Sequence, residues 1–166
     1  IGYAVKYADL VIHSYHAVKN ITTGEGGSVL TNNKIFHNKI EVLKSHGLER
    51  INKKNVENPN WPFIMKQLGY NFRITDFQCA LGISQLKKLN KFLNKRKTIS
   101  KIYYNSFKNT KNIKIPYISK DSEHAFHLYP ILINFKKTKI GKKKLIENFK
   151  KENINLQIHY FPIHLQ

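Results

Sequence analysis

Apolar and polar positions along the first third of the chain predict two strands and a helix. The short apolar run ADLVIHSY, residues 8–15, predicts a strand, and GGSVLTN, residues 26–32, predicts a second strand that pairs with it across the intervening loop. Apolar positions recur at helical spacing in residues 33–47, where Gly47 is a natural stop. Residues 48–69 are predicted to be irregular, because their Asn-Pro-Asn and Pro62 would break a helix.

The next pattern is a much longer helical one. Apolar residues recur at helical spacing from residue 73 to residue 107, and Thr75 with Gln78 predicts a capping box at its start. Three shorter patterns follow Pro116, namely a strand over residues 127–135, an amphipathic helix over 140–153 and a strand over 154–161. This order of elements is an α+β pattern and predicts a second, small domain.

The charge of the chain raises the question of a nucleic-acid partner. The formal net charge is +19, but Arg50, Arg73 and Arg96 are the only arginines. Base readout relies on the planar fork of arginine, and the lysines here are spread along the chain rather than clustered. We therefore predict solvated lysine faces and no nucleic-acid partner, while a basic binding module remains an alternative.

Composition also narrows the class of protein. No apolar run approaches the roughly 18 residues of a membrane span, and no signal-peptide pattern is visible. The single cysteine, Cys79, excludes an internal disulfide framework, and no His, Asp or Glu cluster has the spacing of a metal site. These features predict a cytoplasmic protein with no membrane partner and no metal.

The stretch SYHAVKNITTGEGG, residues 14–27, places one lysine between a predicted strand and a glycine-rich loop. There Lys19 can point into a cleft, where a neutral amine can attack a carbonyl group and form a Schiff base. Ser14 can offer a hydroxyl to a phosphate, and the glycines permit close approach of a ligand to the backbone. These are the parts of a pyridoxal phosphate site. On pattern alone, an exposed lysine in a hairpin loop remains the leading interpretation.

Four segments together resemble the DegT/DnrJ/StrS sugar aminotransferases, in the order that family has them. They are SYHAVKNITTGEGG, LKSHGLER (43–50), LGYNFRITDFQCALGISQL (68–86) and QIHYFPIHLQ (157–166). The resemblance covers essentially the whole chain. It implies an α/β fold class, a partial type I pyridoxal phosphate-dependent aminotransferase fold. Residues 1–108 would be part of the large domain, and residues 109–166 part of the small C-terminal α+β domain.

The resemblance also implies roles for single residues. Lys19 matches the lysine that holds pyridoxal 5'-phosphate covalently and then acts as the base. Ser14 matches a residue that hydrogen-bonds the cofactor phosphate. Arg73 matches a position, often Asn in relatives, that reaches the phosphate from the neighbouring subunit of a homodimer. Candidates for the substrate side, each equally compatible with packing or a solvated position, are His16, Glu25, His159, Tyr160 and His164.

The reaction implied by the most similar subgroup is transfer of an amino group from L-glutamate to the C4 keto group of a UDP-linked 4-keto-6-deoxy-N-acetylhexosamine, in pseudaminic acid biosynthesis. Another sugar, nucleotide or keto position stays open. Lys19 argues against the members that have histidine there and dehydrate. The family's pyridine-binding aspartate, ring-stacking residue and phosphate turn match positions before Ile1. We therefore expect these 166 residues alone to be inactive and the full-length parent to be active, with a non-catalytic remnant as the alternative.

Overall fold

Two short antiparallel strands follow a 3-10 helix at Tyr3–Lys6. The computed structural model describes residues 3–50, 62–158 and 160–166. Strand β1, Val11–Ser14, pairs with β2, Gly27–Leu30, so that Val11 lies opposite Leu30 and Ser14 opposite Gly27. The predicted pair of strands is confirmed, although each strand is shorter than its apolar run. Residues 15–26 form the connection between them.

Helix α1, Lys34–Leu43, begins after Asn33. The Asn33 side-chain oxygen accepts hydrogen bonds from the N–H groups of Ile35 at 2.8 Å and Phe36 at 3.3 Å, which satisfies two donors that a helix start leaves open. The predicted helix is confirmed, but it ends four residues before the predicted stop at Gly47. The chain then turns, since the Lys44 N–H still bonds to the Ile40 carbonyl and His46 adopts a left-handed φ of 62°.

A second antiparallel pair joins β3, Leu48–Arg50, to β4, Phe63–Met65. The prediction that residues 48–69 are irregular is therefore wrong at these two places, and residues 51–61 lie outside the described residues. Three-residue strands held by backbone hydrogen bonds are too short to impose an alternating pattern on the side chains. The prolines in this region exclude a helix, but they leave room for extended pairing on either side.

Two helices replace the single long helix that the sequence predicts. Helix α2 is Asp76–Lys87 and helix α3 is Leu89–Phe107. They are separated at Lys88, whose N–H bonds to carbonyls three and two residues before it rather than to the usual fourth. The predicted capping box is confirmed, with the Gln78 N–H donating to Thr75 Oγ1 and the Thr75 N–H donating to Gln78 Oε1.

The chain divides into two compact units, Ile1–Asn94 and Lys95–Gln166, and the division falls within α3. The domain boundary predicted after residue 108 remains a prediction. The second unit contains most of α3, a pair of two-residue antiparallel strands, two 3-10 helices and helix α4. Their bounds are β5 Ile113–Lys114, β6 Leu132–Ile133, 3-10 helices Phe135–Lys137 and Ile163–Leu165, and α4 Lys142–Lys151.

The predicted elements of the second unit are confirmed unevenly. The amphipathic helix predicted over residues 140–153 is confirmed by α4. The strand predicted over 127–135 shrinks to Leu132–Ile133, because only these residues pair with β5. The strand predicted over 154–161 is wrong for the residues described there, which form no backbone ladder with another strand.

The described residues bury unusually little apolar surface for a chain of this length. No hydrophobic side chain among them is fully buried, and the two buried polar residues are Thr23 and Ser100. Large apolar side chains stand in solvent, and Phe77 on α2 is 90% exposed. Apolar residues of these types are the ones that folded proteins most often bury. Within the same described ranges, no helix is both long enough and apolar enough to cross a membrane.

Candidate functional site

Lys19 lies in the connection between β1 and β2, a few residues beyond the end of β1. Its N–H donates to the His16 carbonyl at 2.9 Å, which forms a turn, and its side chain is half-buried. The base of the loop is closed by two backbone bonds. The Tyr15 N–H donates to the Gly26 carbonyl at 2.8 Å, and the Thr23 N–H donates to the Tyr15 carbonyl at 2.9 Å. The predicted lysine therefore occupies a closed loop with a defined base.

Thr23 anchors the base of this loop against α2. Its exposed fraction is only 6%, and its hydroxyl donates to the Glu25 carbonyl at 2.7 Å. The Thr23 methyl group faces Gly82 of α2, where an added Cβ would lie 2.9 Å from it. The hydroxyl also lies against Gly26, which has a φ of 151° and no room for a side chain. The loop can approach the helix this closely because both neighbours are glycine.

Gln78 connects the same loop to the start of α2. Its Nε2 donates to the Glu25 carbonyl at 2.9 Å, while its Oε1 accepts the Thr75 N–H at 3.0 Å. Arg73 is exposed and stands two residues before the helix cap Thr75. The loop that carries Lys19 and the segment that carries Arg73 thus both join α2 at its first turn.

Ser14, His16 and Glu25 lie at the two sides of the loop, and all three are exposed. Ser14 Oγ accepts a long bond of 3.4 Å from the His16 N–H, and its own hydroxyl hydrogen can still donate. His16 Nε2 lies 3.7 Å from Glu25 Oε1. The His16 and Glu25 side chains therefore meet across the loop and present a nitrogen and a carboxylate to the same solvent region.

Two buried polar atoms flank these residues. They are Oδ1 of Asn20, the residue after Lys19 in the chain, and Nε2 of His13, the residue before Ser14. Neither atom has a hydrogen-bond partner within the described part of the chain. Buried polar atoms are normally paired, because an unpaired one loses its bonds to water without replacement. Asn20 Oδ1, beside Lys19 in the chain, is thus open to a hydrogen bond from water, a ligand or another part of the protein, while His13 and Ser14 point to opposite faces of β1.

The remaining sequence candidates lie elsewhere. Tyr160 and His164 belong to the second unit and are exposed, with His164 in the last 3-10 helix. His159 lies outside the described residues. The structure thus places Ser14 at the end of β1 and His16, Lys19 and Glu25 in the loop that follows it. In the described ranges, no group of three or more His, Cys, Asp or Glu side chains could hold a metal ion.

Sequence reasoning missed two residues that build this loop, Thr23 and Gln78. Gln78 was expected only as part of a capping box, and Thr23 only as loop sequence. One signal for both was available. An isolated glycine inside a helical pattern, here Gly82, indicates that something approaches the helix closely. The pattern could not tell which loop makes that approach.

Comparison with known proteins decides the family. The model of the DegT/DnrJ/EryC1/StrS aminotransferase family matches residues 3–166. The chain belongs to this family. The family predicted from the four sequence segments is therefore confirmed. So is the predicted fold class, since the family has the type I pyridoxal phosphate-dependent fold and the chain contains part of it.

Similar proteins include several that are named as sugar aminotransferases or sugar transaminases. The chain is 43% identical over 155 residues to the UDP-4-amino-4,6-dideoxy-N-acetyl-beta-L-altrosamine transaminase of Campylobacter jejuni serotype O:23/36. The alignment covers 93% of this chain and 39% of that protein. The structure of Helicobacter pylori PseC, an aminotransferase involved in the biosynthesis of pseudoaminic acid, superimposes with a TM-score of 0.82 at 34% identity. It covers 95% of this chain and 40% of PseC.

A second similar structure is the putative sugar aminotransferase Spr1654 of Streptococcus pneumoniae in its PMP form. Its TM-score is 0.81 at 26% identity, and the match covers 96% of this chain and 41% of Spr1654. The chain therefore spans about two fifths of the length of the relatives it matches.

Proposed function

We propose that the protein is a pyridoxal phosphate-dependent aminotransferase acting on a nucleotide sugar. It would transfer the amino group of L-glutamate to the C4 keto group of a UDP-linked 4-keto-6-deoxy-N-acetylhexosamine, in pseudaminic acid biosynthesis. The observation that carries the proposal is Lys19, half-buried in a closed loop between Ser14 and the glycine-rich turn. The Campylobacter jejuni and Helicobacter pylori relatives support the choice of sugar.

The residues present fit pyridoxal phosphate. Lys19 offers the amine that would hold the cofactor through its aldehyde carbon. Ser14 offers a hydroxyl donor and Arg73 a guanidinium, which are the groups that bind phosphate oxygens well. The unpartnered Asn20 Oδ1 belongs to the residue after Lys19 and is a polar atom that a bound group could satisfy. When bound, the cofactor supplies an electron sink for the carbon atom that loses its proton.

In this proposal Lys19 moves the proton in both half-reactions. Its Nζ removes a proton from the amino-bearing carbon of glutamate, and water supplies the keto oxygen of the departing 2-oxoglutarate. The amino group and the electron pair would stay with the bound cofactor until they pass to the sugar, whose keto oxygen leaves as water. In the second half-reaction the same Nζ delivers a proton to C4 of the sugar. General acid–base transfer by a positioned side chain of this kind contributes about 10²–10⁴-fold to a rate. His16 and Glu25, which meet at 3.7 Å, would bind substrate hydroxyls at the rim of the loop.

A homodimer is part of the same proposal, with the partner's Arg73 binding the cofactor phosphate. Arg73 is exposed and precedes an α2 that carries exposed Phe77, Leu81 and Ile83. A guanidinium that protrudes beside exposed apolar residues is well placed to reach a neighbouring subunit. Tyr160, His164 and His159 are proposed on the substrate side, on the strength of the family resemblance of their segment.

The half-reaction with glutamate tests the proposal. The protein is expressed from its complete reading frame with pyridoxal phosphate, and the release of 2-oxoglutarate from glutamate is measured. Lys19→Ala is expected to lower this rate by about 1000-fold or more, because the amine is the proposed base. Lys39→Ala on α1, which removes an exposed lysine, serves as the control and is expected to retain the rate.

The sugar is tested separately, with UDP- and GDP-linked 4-keto and 3-keto sugars offered to the same enzyme. Preference for a UDP-linked 4-keto-6-deoxy-N-acetylhexosamine is the expected result.

Release of 2-oxoglutarate that is unaffected by Lys19→Ala, or absent from a folded wild-type protein that has bound the cofactor, would overturn the proposed reaction.

A further inference from the structure

The side chain of Gln78 is hydrogen-bonded at both ends of its amide. Gln78 Oε1 accepts from the Thr75 N–H and from Thr75 Oγ1, each at 3.0 Å. Gln78 Nε2 donates to the Glu25 carbonyl at 2.9 Å, a residue 53 positions earlier in the chain. One side chain therefore caps α2 and also holds the loop between β1 and β2. A capping box alone would use only the oxygen end of the amide.

The carbonyl that Gln78 holds is a central point of the loop. The Glu25 carbonyl accepts both the Gln78 amide and the Thr23 hydroxyl at 2.7 Å, so its two lone pairs are both used. The next residue, Gly26, accepts the Tyr15 N–H, and the Tyr15 carbonyl accepts the Thr23 N–H and the Thr22 hydroxyl. A displacement of the Glu25 peptide would therefore shift both ends of the segment that contains Lys19.

We infer that Gln78 is a positioning residue for Lys19, since it fixes the base of the lysine loop to the first turn of α2. This inference rests on the proposed function for its catalytic consequence, but not for its structural part. It also joins the Lys19 loop to the segment that carries Arg73, because the cap residue Thr75 that Gln78 holds follows Arg73 by two positions; in the proposed dimer this Arg73 serves the partner's site.

The two roles of Gln78 can be separated by substitution. Gln78→Glu keeps an oxygen acceptor for the Thr75 N–H, and glutamate is a preferred residue at this place in a capping box and near a helix N-terminus. It removes the donor to the Glu25 carbonyl and places a carboxylate oxygen there instead. Gln85→Glu makes the same chemical change about two turns later on α2 and serves as the matched control.

The structural part is tested without cofactor, by hydrogen–deuterium exchange of the protein expressed from its complete reading frame. Gln78→Glu is expected to speed the exchange of peptides covering residues 15–27 by about tenfold, the effect of weakening the local closure by one hydrogen bond. Peptides of α2 and the thermal midpoint are expected to remain as in the wild type. Gln85→Glu is expected to leave the exchange of residues 15–27 as in the wild type, while its negative charge in the last turn of α2 lowers the thermal midpoint slightly.

The catalytic part is tested by the glutamate half-reaction of the loaded enzyme. Gln78→Glu is expected to lower kcat by about 10–100-fold with KM for glutamate nearly unchanged, because a misplaced base slows proton transfer without removing substrate contacts. Unchanged exchange of the loop in Gln78→Glu would overturn the inference. So would equal losses of kcat in Gln78→Glu and Gln85→Glu.

The failure of the proposed function would look different. In that case the wild type itself would lack the half-reaction, while the loop would still exchange faster in Gln78→Glu. The link between Gln78 and the loop would then stand, and its role in positioning a catalytic amine would be wrong.

Discussion

Adjacent residues of α3, Arg96 and Lys97, make contacts that differ in their exposure to water. Arg96 is half-buried, and its Nη1 donates to the Phe126 carbonyl at 3.0 Å and to the His127 carbonyl at 3.2 Å. Lys97 Nζ lies 2.6 Å from Glu123 Oε1, with 41% and 83% of the two side chains exposed. Exposed ion pairs contribute little to stability, whereas shielded bonds from a charged donor contribute more.

We expect Arg96→Met to lower the free energy of unfolding by about 2 kcal/mol, because two carbonyls would lose their charged donor. The chain segment there also needs support, since Phe126 has a φ of 48°. Lys97→Met is the matched control, and we expect no measurable change at neutral pH. Thermal unfolding of both variants in the complete protein measures the difference. Equal destabilisation by the two substitutions would contradict the ranking.

The ion pair between Lys97 and Glu123 is expected to change the pKa of Glu123 more clearly than it changes the free energy of unfolding. The hydrogen bond and the charge of Lys97 hold the pKa of Glu123 below its usual value. A lowered carboxyl pKa favours the folded state above the usual value, and that contribution disappears as the pH falls through the lowered one. The pair therefore contributes at neutral pH and is lost in acid, and because both side chains are exposed its contribution is small, which is why Lys97→Met suits the comparison with Arg96.

The individual residues show what a sequence can and cannot predict about a site. Lys19 and Ser14 were predicted because they lie in one contiguous segment that resembles the family, and the structure puts Ser14 at the end of β1 and Lys19 in the loop after it. Gln78 was not predicted as part of this loop, because its partner Glu25 is 53 positions away. Contacts between distant segments leave no local pattern in one sequence.

At the scale of elements, the contact between α2 and the lysine loop depends on one glycine. Gly82 lies within α2, where replacement by alanine normally stabilises a helix by about 1 kcal/mol. Here an added Cβ would lie 2.9 Å from the Thr23 methyl group, and Thr23 is buried. The loop would have to move away from the helix to admit the new methyl group.

We therefore expect Gly82→Ala to lower the thermal midpoint instead of raising it. In a Thr23→Ser background, which removes the opposing methyl group and keeps the hydroxyl, Gly82→Ala should raise the midpoint. The four proteins of this cycle are compared by thermal unfolding without cofactor. A stabilising Gly82→Ala in the wild-type background would show that the loop does not pack on α2 as described.

The elements were predicted best where side-chain pattern decides them. The capping box of Thr75 and Gln78 and the amphipathic helix α4 follow from local sequence, and both are confirmed. The break between α2 and α3 was missed, because apolar residues continue at helical spacing through Lys88. The three-residue strands β3 and β4 were missed as well, since backbone pairing alone defines them.

At the scale of the whole molecule, the described residues leave many apolar side chains uncovered. Helix α2 turns Gly82 and Gln78 toward the lysine loop, while Phe77, Leu81 and Ile83 on the same helix are exposed. A helix with apolar residues on several sides is normally covered on all of them. This agrees with a chain that spans about two fifths of its relatives, and with the proposal that these 166 residues alone are inactive.

The proposed dimer predicts that two inactive variants restore each other. If a site combines Lys19 of one subunit with the partner's Arg73, a mixed dimer of Lys19→Ala and Arg73→Ala contains one site with both native residues. Random mixing should then restore roughly a quarter of the wild-type glutamate half-reaction, since half of the symmetric dimers are mixed. Co-expression with two affinity tags isolates the mixed dimer, which should have about half of the wild-type activity because one of its two sites is intact. Activity no higher than that of Arg73→Ala would mean that both residues act within one subunit.

The most direct test of the account is to locate the lysine that holds the cofactor. The protein from the complete reading frame is loaded with pyridoxal phosphate and reduced with borohydride, which makes the link between lysine and cofactor permanent. Peptide mass spectrometry then locates the label among the many lysines. We expect it on Lys19, and loss of it after prior treatment with glutamate, which releases the amine. A label on another lysine, or none on a folded protein, would contradict the assignment of Lys19 and the proposed reaction.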